Sequence, residues 1–105
     1  MGRKIELSFY DKKYIIEYNR SSVRKVLLHN NKNDDTIQRA IMLIKCGLVM
    51  HHEDDLPSDD DIFGWVMALG SEVENFANAL REMVQSVLDT FKEDRKNLHW
   101  GKVEG

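Results

Sequence analysis

Between residues 4 and 27 the apolar side chains change their spacing, and this change constrains the fold more than any other feature of the chain. In "KIELSFY", residues 4–10, Ile5, Leu7 and Phe9 alternate with Glu6, Ser8 and Tyr10. Alternation places one set on each face of a strand. After the polar "DKK", the run "YIIEYN" puts Tyr14, Ile16 and Tyr18 on one face. Two such runs around a short polar break predict a β-hairpin over residues 3–19. From about residue 20 apolar positions recur every three or four residues, the period of a helix. A lone hairpin is marginal in water, so the helices must supply the surface it packs on. The expected class is α+β: an N-terminal β-hairpin packed on a mainly α-helical bundle of about four helices.

The helical part divides at its caps. Asn19 or Ser21 can cap a short helix carrying Val23, Val26 and Leu27. The polar loop "HNNKNDD" follows, with Asn33 or Asp34 as the next cap. Residues 36–50 are apolar nearly all round from Ala40 onward, which predicts a central helix. Pro57 interrupts the chain, and Ser58 reads as an N-cap with Asp59, Asp60 and Asp61 in the first turn, where negative charge favours the helix dipole. Ile62, Phe63, Val66, Met67 and Leu69 form the expected apolar face of that helix, which Gly70 ends. Ser71 and Glu74 have the spacing of a capping box. Val73, Phe76, Ala77, Leu80, Met83, Val84, Val87, Leu88 and Phe91 then form a long stripe. Helices over 36–50 and 71–95 are expected to dominate. The division is one domain over 1–96, with the hairpin at 3–19 and helices over about 20–95, and a tail over 97–105.

Bulk properties narrow the function classes. A chain of 105 residues sets an expectation of one small domain. Its net charge of −3 is too mild to imply a nucleic-acid partner. The charge is unevenly spread: residues 1–28 hold seven basic and three acidic residues, net +4, while residues 53–61 hold six acidic and no basic ones. Such polarity can draw copies together head to tail, so a salt-sensitive homo-oligomer is expected. The one cysteine, Cys46, sits in an apolar run and reads as a buried, inert thiol with no intramolecular disulfide. "MGRKIELSFY" has no signal-peptide core, and Glu6 stands where a myristoylation signal needs Ser or Thr. The run "AIMLIKCGLVM" is too short to span a bilayer. A soluble, intracellular protein is expected, with no membrane or nucleic-acid partner.

"VMHHEDDLPSDDDIF", residues 49–63, is the stretch that most suggests chemistry. His51 and His52 are adjacent, so on a helix they point about 100° apart, whereas a helical metal pair needs three- or four-residue spacing. His51 with Asp55 is the only pair at four-residue spacing, and it falls where the helix should end. The acids lack the glycine of a calcium loop. Carboxylates in a solvated run of like charge have nothing to shift their pKa values for catalysis. Ser21, Ser22, Ser58, Ser71 and Ser86 lack a nucleophile-elbow context, and no glycine-rich phosphate loop is present. The stretch therefore reads as a solvated elbow between helices. No catalytic residue, no metal site and no cofactor is expected.

Binding is better supported than catalysis. If Phe9 and Ile16 face a core, Tyr10 and either Tyr14 or Ile15 are left outside, and a hairpin has open edges that another chain can pair with. Trp100 lies in a polar tail with little around it. Tyrosine and tryptophan are favoured anchors at interfaces. Tyr10, Tyr14 and Trp100, with Asp59 and Asp60 of the acidic run, are the candidate partner-binding residues.

The opening "KIELSFYDKKYIIEYNRSSVRK", the apolar helix ending in "GLVMHHEDD", then "DIFGWV", a long amphipathic helix and the terminal "LHWGKVE" together resemble the tail assembly chaperones of long-tailed phages and prophages of Gram-positive bacteria. The likeness runs from about residue 4 to residue 103 and rests on order and pattern, with "EYNRSSVRK" at 17–25 among its best-matching stretches. It implies a non-enzymatic role: binding the tape measure protein, keeping its apolar helices soluble and helping tail-tube subunits assemble around it. It also implies a place in the bacterial cytoplasm and absence from the mature virion. A contrasting expectation, from the acidic run, is a phage accessory protein that binds and inhibits a host defence factor through a basic groove.

Overall fold

The computed structural model describes residues 3–103. Strands β1 (Lys4–Phe9) and β2 (Lys12–Glu17) are followed by helices α1 (Arg20–His29), α2 (Thr36–His52), α3 (Asp59–Leu69) and α4 (Val73–Thr90). A 3-10 turn over Gly70–Glu72 joins α3 to α4, and a second over Phe91–Asn97 prolongs α4. The α+β class and the N-terminal hairpin are as expected.

In the antiparallel pair Ile5 lies opposite Ile16 and Leu7 opposite Tyr14. One face thus carries apolar side chains towards the helices, with Tyr14 and Ile16 buried and Ile5 and Leu7 packed against the core. The connection is the two-residue loop Tyr10–Asp11, one step earlier than the predicted "DKK". Tyr10 takes φ 54°. A tight hairpin needs a positive φ in its loop to match strand twist, a position usually left to glycine or asparagine.

The helices depart from an even bundle of four, because α2 is the hub. It packs against β2, α1, α3 and α4, while α3 and α4 touch each other only slightly. Its buried residues Ala40, Leu43, Ile44, Cys46, Gly47 and Leu48 spread round its circumference, as its near-continuous apolar run dictates. Gly47 sets the approach of the hairpin. A Cβ there would lie 2.5 Å from Ile16 Cγ2 and 2.9 Å from Tyr18 Cζ. One turn earlier, the buried Tyr18 hydroxyl donates to the Leu43 carbonyl at 2.6 Å. Burial also pushes the pKa of this phenol upward, as it does that of the Cys46 thiol.

Three helices carry a side-chain cap. Asn19 accepts from Ser22 N–H and Ser58 from Asp61 N–H, as predicted. The cap of α2 is Asp35, which accepts from Gln38 N–H, not Asn33 or Asp34. The Ser71–Glu74 capping box does not form. Gly70, at φ 57°, reverses the chain, and Ser71 then lies inside the 3-10 turn that runs into α4. An N-cap needs extended backbone, which that turn denies to Ser71. From α4, Ala77, Leu80, Met83 and Val84 enter the core as expected.

Candidate interaction surface

The two histidines work as structural staples. β1 covers one edge of β2, and the other edge faces the end of α2. There the Ile15 N–H donates to His52 Nε2 at 2.9 Å. An imidazole nitrogen that accepts has no proton, so the network assigns the proton to Nδ1, which lies 3.1 Å from Asp55 Oδ1. Asp55 is also 3.2 Å from Lys12 Nζ, at the start of β2. Lys12 holds the Asp55 carboxyl below the usual aspartate range, with His52 assisting, and Asp55 in turn raises the pKa of Lys12. Next to this chain, His51 Nε2 lies 2.7 Å from Oε1 of the buried Glu17. The predicted solvated elbow is therefore corrected: α2 runs on through both histidines, and they fasten its last turn to β2. Among the described residues no group of three or more His, Cys, Asp or Glu side chains is placed to hold a metal ion.

Tyr14 is likewise corrected as a partner-binding candidate, because it is only 8 % exposed. Its ring centroid lies 4.8 Å from that of Trp65 and 5.1 Å from that of His52, so α2 and α3 together close over it. Phe9 joins at 5.8 Å from Trp65. The hairpin is thus seated on α3 by an aromatic cluster whose central residue, Trp65, replaces Phe63 on the predicted inner face. Tyr10, by contrast, is 90 % exposed on the hairpin loop. Trp100 is 87 % exposed, and its neighbours Leu98 and Val103 are exposed with it. Asp59 pairs with Lys45 at 2.9 Å in the first turn of α3. Asp60, Asp61, Glu53 and Asp54 have no ion-pair partner among the described residues. The candidates are thus dispersed: Tyr10 on the hairpin loop, Asp59 and Asp60 on α3, and Trp100 on the tail.

Other apolar residues assigned inward by periodicity lie outward instead: Leu27 on α1, Phe63 and Met67 on α3, and Phe91 after α4 are all exposed, and so is Leu28, to which the periodicity assigns no face. Leu27, Leu28, Leu88 and Phe91, with Val23, line an open groove of about 650 Å³ between α1 and α4. Its only polar lining is Arg20, Ser21 and Arg24. Arg20 forms one wall: it bonds Asp94 at 2.8 Å and the Thr90 carbonyl at 3.2 Å, and its guanidinium lies 4.2 Å from the Phe91 ring centroid. A signal for this surface was present in "VLL", residues 26–28, since three consecutive apolar residues on a helix cannot all face one core.

No described helix is long and apolar enough to cross a membrane. Compared with known protein families, with characterised proteins and with solved structures, the chain matches none.

Proposed function

We propose that this chain is a non-enzymatic tail assembly chaperone that binds the tape measure protein and assists assembly of the tail tube around it. The observation that carries the reading is the amount of large apolar surface left outside the core, above all the tail, where Leu98, Trp100 and Val103 are exposed together. A small protein gains nothing in folding from such residues, and an exposed tryptophan suits capture of another apolar chain. The sequence resemblance supplies the partner's identity: a long protein whose apolar helices need cover until the tube encloses them. Tyr10, presented on a strained loop, is a second contact of the same kind. On this reading the protein acts in the cytoplasm of the bacterial host and leaves before the virion is complete.

Co-expression with the tape measure protein of the same gene cluster tests the proposal. The expected result is a soluble complex that co-purifies, and loss of solubility when Leu98 and Trp100 are both replaced by serine. A tape measure protein equally insoluble with and without this chain contradicts it. The rival reading, a binder of a host defence factor, is favoured by the unpaired Asp60 and Asp61. It predicts that captured host protein is released by Asp60→Lys and is indifferent to the tail substitutions.

A further inference from the structure

We propose that the groove between α1 and α4 receives α3 of a second copy of this chain, so that copies associate head to tail. Both halves of this contact are already on the molecule. The groove offers Val23, Leu27, Leu28, Leu88 and Phe91, with Leu28 66 % exposed. The outer side of α3 offers Phe63 and Met67, 47 % and 46 % exposed and one turn apart. Beside them Gly64 and Ala68 are exposed and carry almost no side chain; nothing lies within 4 Å of a Cβ placed at Gly64. Such a face lets a helix come close to a groove while its larger residues fill it.

Charge orients the same contact. Arg24 on the groove has no ion-pair partner among the described residues, and neither have Asp60 and Asp61 at the start of α3. Asp60 lies three and four residues before Phe63 and Gly64, on the side that would enter the groove. An unpaired cation thus borders one apolar surface and unpaired anions the other. The chain's own tail is a poorer occupant. Arg20 clamps the end of α4 through Thr90 and the turn over Phe91–Asn97 through Asp94, and residues Leu98–Val103 continue from it exposed. No residue of α3 lines the groove, so the two surfaces are distinct. A contact between different surfaces is heterologous and extends into a ring or an open helix rather than closing as a dimer. This inference does not rest on the chaperone reading, which concerns the tail.

Sedimentation of the full chain over a wide concentration range, at about 0.1 M and about 1 M salt, tests it, because the Debye length falls from about 10 Å to about 3 Å between them. The expected result is a mass that grows with concentration at low salt, with association weakened on the order of tenfold at high salt. Leu28→Glu and Phe63→Glu should each be monomeric. Both sites are exposed, so unchanged melting curves will show that each variant folds. Mixed one to one, the two variants should form a dimer and nothing larger, since one retains an intact α3 face and the other an intact groove. Arg24→Glu and Asp60→Lys repeat the test by charge alone: each should associate weakly and the mixture more tightly. Monomeric wild type at every concentration, or a mixture that stays monomeric, overturns the proposal. So does loss of association on removing residues 98–105, which would assign the groove to the tail. A chain that self-associates but fails to hold the tape measure protein leaves this contact standing and removes the chaperone reading. The reverse result does the opposite.

Discussion

Single residues carry much of the specificity of this fold, and Gly47 is the sharpest case. Alanine in a helix interior is ordinarily better than glycine by about 1 kcal/mol. Here the added methyl would meet Ile16 and Tyr18, both buried against α2. Gly47→Ala should therefore destabilise by roughly 1–3 kcal/mol, read as a lower urea midpoint. Asp55 makes a second prediction. Its carboxyl is held below the ordinary value of 3.8 by Lys12 and then His52. A depressed folded-state pKa contributes stability above the unfolded value and loses it as pH falls through the folded one. Urea titrations from pH 7 down to about pH 3 should show that acid-side loss in the wild type, and a shallower one in Asp55→Asn. Neither the packing of Gly47 on Ile16 and Tyr18 nor the pairing of Asp55 with Lys12 was legible beforehand, because these contacts join positions far apart in sequence. The neighbourhood of "HH" to the acidic run was visible, but that β2 presents Ile15 N–H and Glu17 to the two imidazoles emerges only once strand and helix are docked.

At the scale of elements, periodicity was a good guide where an element has one apolar face and a poor one where it has two. The hairpin and α4 read cleanly. Leu80, in the middle of the α4 stripe, is fully buried, so Leu80→Ala should cost roughly 2–5 kcal/mol in chemical denaturation. Leu28→Ala, on the exposed side of α1, should stay within about 0.5 kcal/mol of wild type. Residues 62–69 of α3, "IFGWVMAL", are apolar almost throughout, and no spacing rule chooses among them. The choice falls to tertiary partners: Phe9 and Tyr14 on the hairpin select Trp65, which leaves Phe63 and Met67 to solvent. Caps were legible to within a residue or two, except at Ser71, where the reversal at Gly70 set the backbone geometry instead.

The whole molecule measures 62 × 31 × 25 Å, with a Cα radius of gyration of 16.3 Å. A compact chain of about 100 residues has about 13 Å. Elongation of this kind accompanies a body with an exposed tail, and the proposed contacts use the two parts differently. Head-to-tail stacking through α1 and α3 would repeat the body along an axis and present one tail per copy. Many weak tail contacts on one long partner then act together, since each later contact is intramolecular once the first has formed. The sequence carried the ingredients of this arrangement, namely the opposed charges, a tryptophan in a polar tail and the outward leucines of "VLL", but not that α4 closes a groove with them.

On the proposed reading Trp100 is an anchor for a partner, and its fluorescence reports directly on that contact. The other tryptophan, Trp65, is buried and its indole N–H has no hydrogen-bond partner among the described residues, so Trp65→Phe removes an unsatisfied donor and keeps an aromatic ring in the cluster. In that variant all tryptophan emission comes from Trp100. Titration with a soluble apolar segment of the tape measure protein should shift the emission to shorter wavelength and protect it from iodide quenching, as the ring leaves water. Emission and quenching unchanged at saturating segment would contradict the account.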